Sequence, residues 1–208
     1  MTVAAVAISL GAVSAAQAAT VTVGFPFTQP HNEGYLGNNG DTAMVANTTL
    51  SEPGANVASP VSGTIIQWRA VPLGTGEYAL RVLRPAGGGA YTGAGRSPQN
   101  ITATGDQTFS ASLPIQAGDL IGLELPNDQG VAGDSLYVPG GVWSLWAPAL
   151  AEGAQGAPFD TFTNQELAFN AVVQYADTAS GTTPKGCKKK KHKRSASAAK
   201  KCKKKKKH

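Results

Sequence analysis

Leu167-Ala168-Phe169-Asn170-Ala171-Val172-Val173-Gln174-Tyr175 reads in strict alternation. Leu167, Phe169, Ala171, Val173 and Tyr175 face one way, and Ala168, Asn170, Val172 and Gln174 face the other. A period of two puts successive side chains on opposite sides of a β-strand, so the stretch predicts a strand with one apolar face and one more polar face. The same period recurs upstream. Val21, Val23 and Phe25 alternate with Thr20, Thr22 and Gly24, and Ile66, Trp68 and Ala70 alternate with Ile65, Gln67 and Arg69. Tyr78, Leu80 and Val82 alternate with Ala79 and Arg81. Phe109, Ala111 and Leu113 alternate with Thr108, Ser110 and Ser112, and Ile121, Leu123 and Leu125 with Gly122 and Glu124.

Between these runs lie turn-forming clusters such as Pro72-Leu73-Gly74-Thr75-Gly76 and Gly87-Gly88-Gly89, drawn from 25 Gly and 13 Pro. Beyond the N-terminal segment no window carries an apolar period of 3.6 residues. Short strands at this spacing predict an all-β fold, an antiparallel two-sheet sandwich of jelly-roll-like form. Gln29 to Asp41 reads as a long loop.

Both ends of the chain differ from this body. Met1 to Ala18 holds an apolar run from Val3 to Val13 followed by Ala16-Gln17-Ala18, the pattern of a secretory leader, with cleavage expected after Ala18. The run is too short to span a bilayer, so no transmembrane segment is expected in the mature protein. No Lys or Arg precedes it; either the true start lies upstream or the amino terminus alone supplies the positive charge. The predicted organisation is a leader over 1–18, a sandwich over 19–177, a linker over 178–186 and a Lys/Cys-rich tail over 187–208.

Charge is segregated along the chain. All thirteen lysines and Arg194 lie in the last 24 residues, from Lys185 to His208, with no acid among them. The upstream part has four arginines against thirteen acids, a net −9 against +14 in the tail. Like-charge runs repel themselves and bury no core, so the tail is predicted to be disordered. Its cations are Lys188, Lys189, Lys190, Lys191, Lys193 and Arg194 in one block, then Lys200, Lys201, Lys203, Lys204, Lys205, Lys206 and Lys207 in another. Such blocks point to adhesion to an anionic cell-envelope polymer or acidic glycan, without specificity for nucleic acid. The expected location is secreted or at the cell surface.

The only cysteines, Cys187 and Cys202, sit in the same tail. Export is oxidising, and neighbouring lysines favour the thiolate, so a disulfide is expected, within one chain or between two. Within one chain it would close a loop of about 15 residues.

Leu113-Pro114-Ile115-Gln116-Ala117-Gly118-Asp119-Leu120-Ile121-Gly122-Leu123 resembles the strand, Ala-Gly-Asp turn and strand of many jelly-roll ectodomains. Gly118 and Asp119 suit the turn, with Ile115 and Ile121 entering the core on either side. The layout of leader, lysine-free β domain and Cys-Lys tail is similar to that of uncharacterised exported actinobacterial proteins. That resemblance implies a β-sandwich and an exported location, and no activity.

No catalytic pattern emerges. The body has one histidine, His31, in a segment with loop composition, and no cysteine nucleophile. Glu33, Glu77, Asp106, Asp119 and Glu124 are the acids considered for a glycoside-hydrolase pair, whose separation only the fold sets. Asn127-Asp128-Gln129-Gly130 with Asp134, and Asn38-Asn39-Gly40-Asp41, offer oxygen ligands, but also what turns require, and neither matches a known calcium spacing. No cofactor and no metal are expected, and the protein is read as not an enzyme. The alternative is a carbohydrate-binding module that stacks sugars on Tyr137, Trp143 and Trp146. On a strand from Val142 to Trp146 the two tryptophans face opposite ways, one into the core and the other exposed or at a sheet end.

Overall fold

The computed structural model describes residues 17–28, 42–126, 130–131, 133–134 and 138–177. They form no helix. Thirteen strands follow in order: β1 Gln17–Gly24, β2 Ala43–Thr49, β3 Gly63–Ala70, β4 Gly76–Gly87, β5 Ala90–Ile101, β6 Gln107–Ile115 and β7 Leu120–Leu125. Then come β8 Gly133–Asp134, β9 Val142–Trp146, β10 Gln155–Gly156, β11 Asp160–Thr163, β12 Glu166–Leu167 and β13 Phe169–Asp177. The predicted loop over 29–41 lies outside the described residues, as do the leader to residue 16, the linker and the tail.

Two antiparallel sheets pack face to face. One has the order β1-β13-β3-β6, the other β10-β5-β4-β7-β2-β9-β11, and a two-stranded pair joins β12 to β8. Leaving out the short strands and β9, the order is β1-β13-β3-β6 opposite β5-β4-β7-β2, the two interlocked Greek keys of a jelly roll. The predicted fold class is therefore the observed one.

Alternation explains how the core is filled. The four-stranded sheet sends in Val23, Ile65, Trp68, Leu113, Phe169 and Val173, and the larger sheet sends in Val45, Tyr78, Leu80, Val82, Ile121 and Leu123, all buried. β7 is buried at every position, because its second face is covered as well. One alternation was read wrongly. Ile65 and Trp68, three positions apart, share the core face, and Ile66 is left half-buried. The register against β13 jumps from Gln67↔Val172 to Ile65↔Val173, so Ile66 is an extra residue in a β-bulge. A bulge flips the side chains on one side of it to the other face.

β1 begins at Gln17. Gln17 and Ala18, assigned to the leader, pair with Asp177 and Ala176 and extend the strand by two residues. The expected turn after β6 forms: Gly118 has φ +90°, and the Asp119 carboxylate accepts the Gln116 amide at 2.8 Å. Ile115 and Ile121 both enter the core.

Tyr78 is buried in that core and its hydroxyl donates to the Gly130 carbonyl at 2.8 Å. Burial pushes its pKa up to about 12, against a backbone contact with Gly74 that lowers it. The folded phenol thus holds its proton beyond the unfolded value of about 10. The resulting contribution to stability is complete below about pH 10 and is lost as pH rises from there through about 12. Phenolate absorbance during an alkaline titration of the folded protein is expected to leave one tyrosine un-ionised well after pH 10, and Tyr78→Phe is expected to remove that late step.

Candidate functional site

The outer face of the larger sheet carries charge where a sandwich usually carries solvated polar groups. Arg81 on β4 and Glu124 on β7 point away from the core yet are buried, and Arg81 Nη1 donates to Glu124 Oε2 at 3.1 Å. Arg96 on β5 donates to Glu124 Oε1 at 2.9 Å and to Glu77 Oε1 at 2.6 Å. Two guanidinium groups and two carboxylates close one network without net charge. Burial lowers the pKa of Arg81, opposed by Glu124 and Glu152, while the hydrogen bonds that Arg96 donates to Glu124 and Glu77 raise its own. Among buried side-chain polar atoms in the described residues, only Arg81 Nε and the Trp68 indole nitrogen lack a hydrogen-bond partner.

The other two arginines are engaged in the same manner. Arg84 grips the buried Asp119 through two bonds of 3.0 Å. Arg69 grips Asp106, with Nε to Oδ1 at 2.7 Å, and its guanidinium lies 3.8 Å from the Phe27 ring centre. Four of the five acids considered for hydrolysis, Glu77, Asp106, Asp119 and Glu124, are thus each bound to an arginine. The fifth, Glu33, lies outside the described residues with His31.

A strap over residues 147–157 explains the buried charge. It crosses the outer face, ends in β10 paired with β5, and is fastened along its length. Arg81 donates to the Leu150 carbonyl, the Gly93 amide donates to the Ala154 carbonyl at 3.0 Å, and the Gly153 amide donates to the Gly93 carbonyl at 2.8 Å. Gly93 has no side chain because the strap passes there: a Cβ would lie 2.4 Å from the Ala151 carbonyl oxygen. Under the strap sits a second small core of Met44, Ala46, Leu83, Leu120 and Trp146. Between strap and β11 opens an apolar hollow of about 380 Å³, lined among others by Trp146, Pro148, Leu150, Ala154 and Phe159. Phe159 is 76% exposed, the only exposed large hydrophobic side chain among the described residues.

The strap also overturns the expectation of an exposed tryptophan. Trp143 and Trp146 lie on opposite faces of β9 as predicted, but each is only 2% exposed. Trp143 stacks on Phe162 at 4.0 Å in the inter-sheet core, and its indole donates to Gln165 Oε1 at 3.1 Å. Trp146 is covered by the strap and meets Tyr91 edge to face. A glycan cannot stack on rings packed this way. Tyr137 lies outside the described residues, as do Asn127, Asp128, Gln129, Asn38 to Asp41, Cys187, Cys202 and every tail cation. Of Asp134 only the backbone is described; it pairs with Glu166. Among the described residues, no group of three or more His, Cys, Asp or Glu side chains is placed to hold a metal ion.

Sequence reading missed Phe159 and the strap. Ala147 to Ala157 carries neither strand nor helix periodicity, and composition gives no sign that such a segment lies on a sheet. No family model, curated protein or solved structure matches this chain.

Proposed function

We propose that the protein is an exported, non-enzymatic jelly-roll module, held at an anionic cell-envelope polymer by its Lys-rich tail. One observation carries the reading: each of the four arginines of the body is bonded to a carboxylate of the body, and the body has no lysine. Positive charge for an external polyanion therefore resides in residues 185–208. The four acids tied to arginine support the non-enzymatic side of the reading. The burial of Trp143 and Trp146 counts against the carbohydrate-stacking alternative.

Binding by clustered cations releases counterions and weakens steeply with salt, by about a thousandfold or more between roughly 50 and 200 mM when six or more charges are neutralised. The full chain is expected to bind isolated cell-wall material at low salt and to elute at moderate salt. The same chain with its thirteen tail lysines replaced by glutamine is expected to flow through. Equal retention of both would refute the reading.

A further inference from the structure

We infer that the outer face of the four-stranded sheet, with the hollow at its end, binds a strand of neutral polysaccharide through hydrogen bonds. The inference does not rest on the tail: its ligand is uncharged, and it gives the structured body a site of its own.

Charge singles out this face. β1, β3, β6 and β13 hold two charged residues between them, Arg69 and Asp177. Arg69 is bound to Asp106, and Asp177 ends its strand. The outer face of the larger sheet, by contrast, carries the network of Arg81, Arg96, Glu77 and Glu124. A smooth neutral face offers little to a polyanion or a polycation and suits an uncharged partner.

Hydrogen-bonding groups cover the face in rows. Residues two apart on a strand share a side, and cross-strand partners stand next to each other. Thr20, Gln174 and Thr64 form one row over β1, β13 and β3. Thr22, Val172, Gln67 and Ser110 form the next, over all four strands. Thr64 and Val172 are half-buried and the others are exposed. Among the described residues, no hydroxyl or side-chain amide of these two rows has a hydrogen-bond partner. Hydroxyls and amides both donate and accept, which matches the hydroxyls of a sugar.

The first row opens into a hollow of about 300 Å³ between Ser62–Thr64 and Gln174–Ala176, with Ala18 also in its wall. That is the lower end of the range for small-molecule sites, about 300–1,000 Å³, and leaves room for a single sugar ring. Short side chains leave the space: Ala18 and Ala176 stand opposite each other, and Gly63 has none. Gly63 has none because a Cβ would lie 2.3 Å from the Gln174 carbonyl oxygen. Loss of Ala18 with the leader would widen the hollow and leave its polar walls in place. Those walls are Gln174, Thr64 and Ser62, whose hydroxyl accepts the Ala117 amide at 3.0 Å and keeps its own proton to donate. A hollow for one ring, continued by rows across the sheet, fits a chain of sugars.

The test titrates the isotope-labelled full chain with maltohexaose, cellohexaose and mannohexaose, followed by backbone amide shifts at high salt, where ionic binding by the tail is suppressed. Shifts confined to β1, β3, β6 and β13 with at least one of the three are the expected result. Ala176→Leu, which fills the hollow, is expected to weaken binding about tenfold, and Gln174→Ala about three- to tenfold. Both positions are exposed, so the melting temperature should not move. Three results would each overturn the inference: no shift with any of the three sugars, shifts elsewhere on the body only, or unaltered affinity in both variants. The two proposals fail separately. The chain with its thirteen lysines changed to glutamine should bind the neutral sugars as before while losing the wall material.

Discussion

Glu124→Leu is expected to cost about 3–5 kcal/mol of unfolding free energy. The carboxylate bridges Arg81 and Arg96, and Arg81 is 3% exposed. Removing it strands a guanidinium beneath the strap with one carbonyl partner, Leu150, and only the exposed Glu152 left to act on its charge. Desolvation of that charge, rather than the attraction lost, sets the size of the effect. The double change Arg81→Met with Glu124→Leu separates the two. It removes the buried charge along with its partner and leaves Arg96 to Glu77, so it should be less destabilising than Glu124→Leu alone. Urea midpoints of the two single variants and the double variant check this, with unchanged slopes showing that stability alone has moved. A double variant as unstable as the sum of its parts would show that the pair has no coupling.

Gly93→Ala is expected to lift the strap and cost about 1–3 kcal/mol, the usual penalty of forced overpacking. The added methyl would lie 2.4 Å from a backbone oxygen, at Ala151, and 3.2 Å from Arg81 Nη2. Backbone cannot turn aside as a flexible side chain can, so the strap must move away. Trp146 then loses its cover, and its emission should shift to the red while the inter-sheet core stays intact.

Much of the architecture was legible because alternation is local. The apolar rows of β4, β6, β7 and β13 follow from their own residues, and the turn at Gly118-Asp119 from its chemistry. Ile66 was not legible, because a bulge is a property of register against a partner strand, which no single strand encodes. The burial of both tryptophans was out of reach for a related reason: the cover over Trp146 is set by Ala147 to Ala157, whose path over the sheet depends on Arg81 and Gly93, both far away in sequence. The pairing of Arg81 with Glu124 spans 43 positions and was equally out of reach. Charge segregation was legible in full as composition. The commitment of every body arginine to a carboxylate needed the fold.

The first strand lies beside the last. Gln17 is opposite Asp177, and among the described residues β1 has no other strand neighbour in its sheet. During synthesis β1 therefore waits without a mate until the ribosome has made nearly the whole module, and the sheet can close only after residue 177 emerges. Pairings this distant are slow to form.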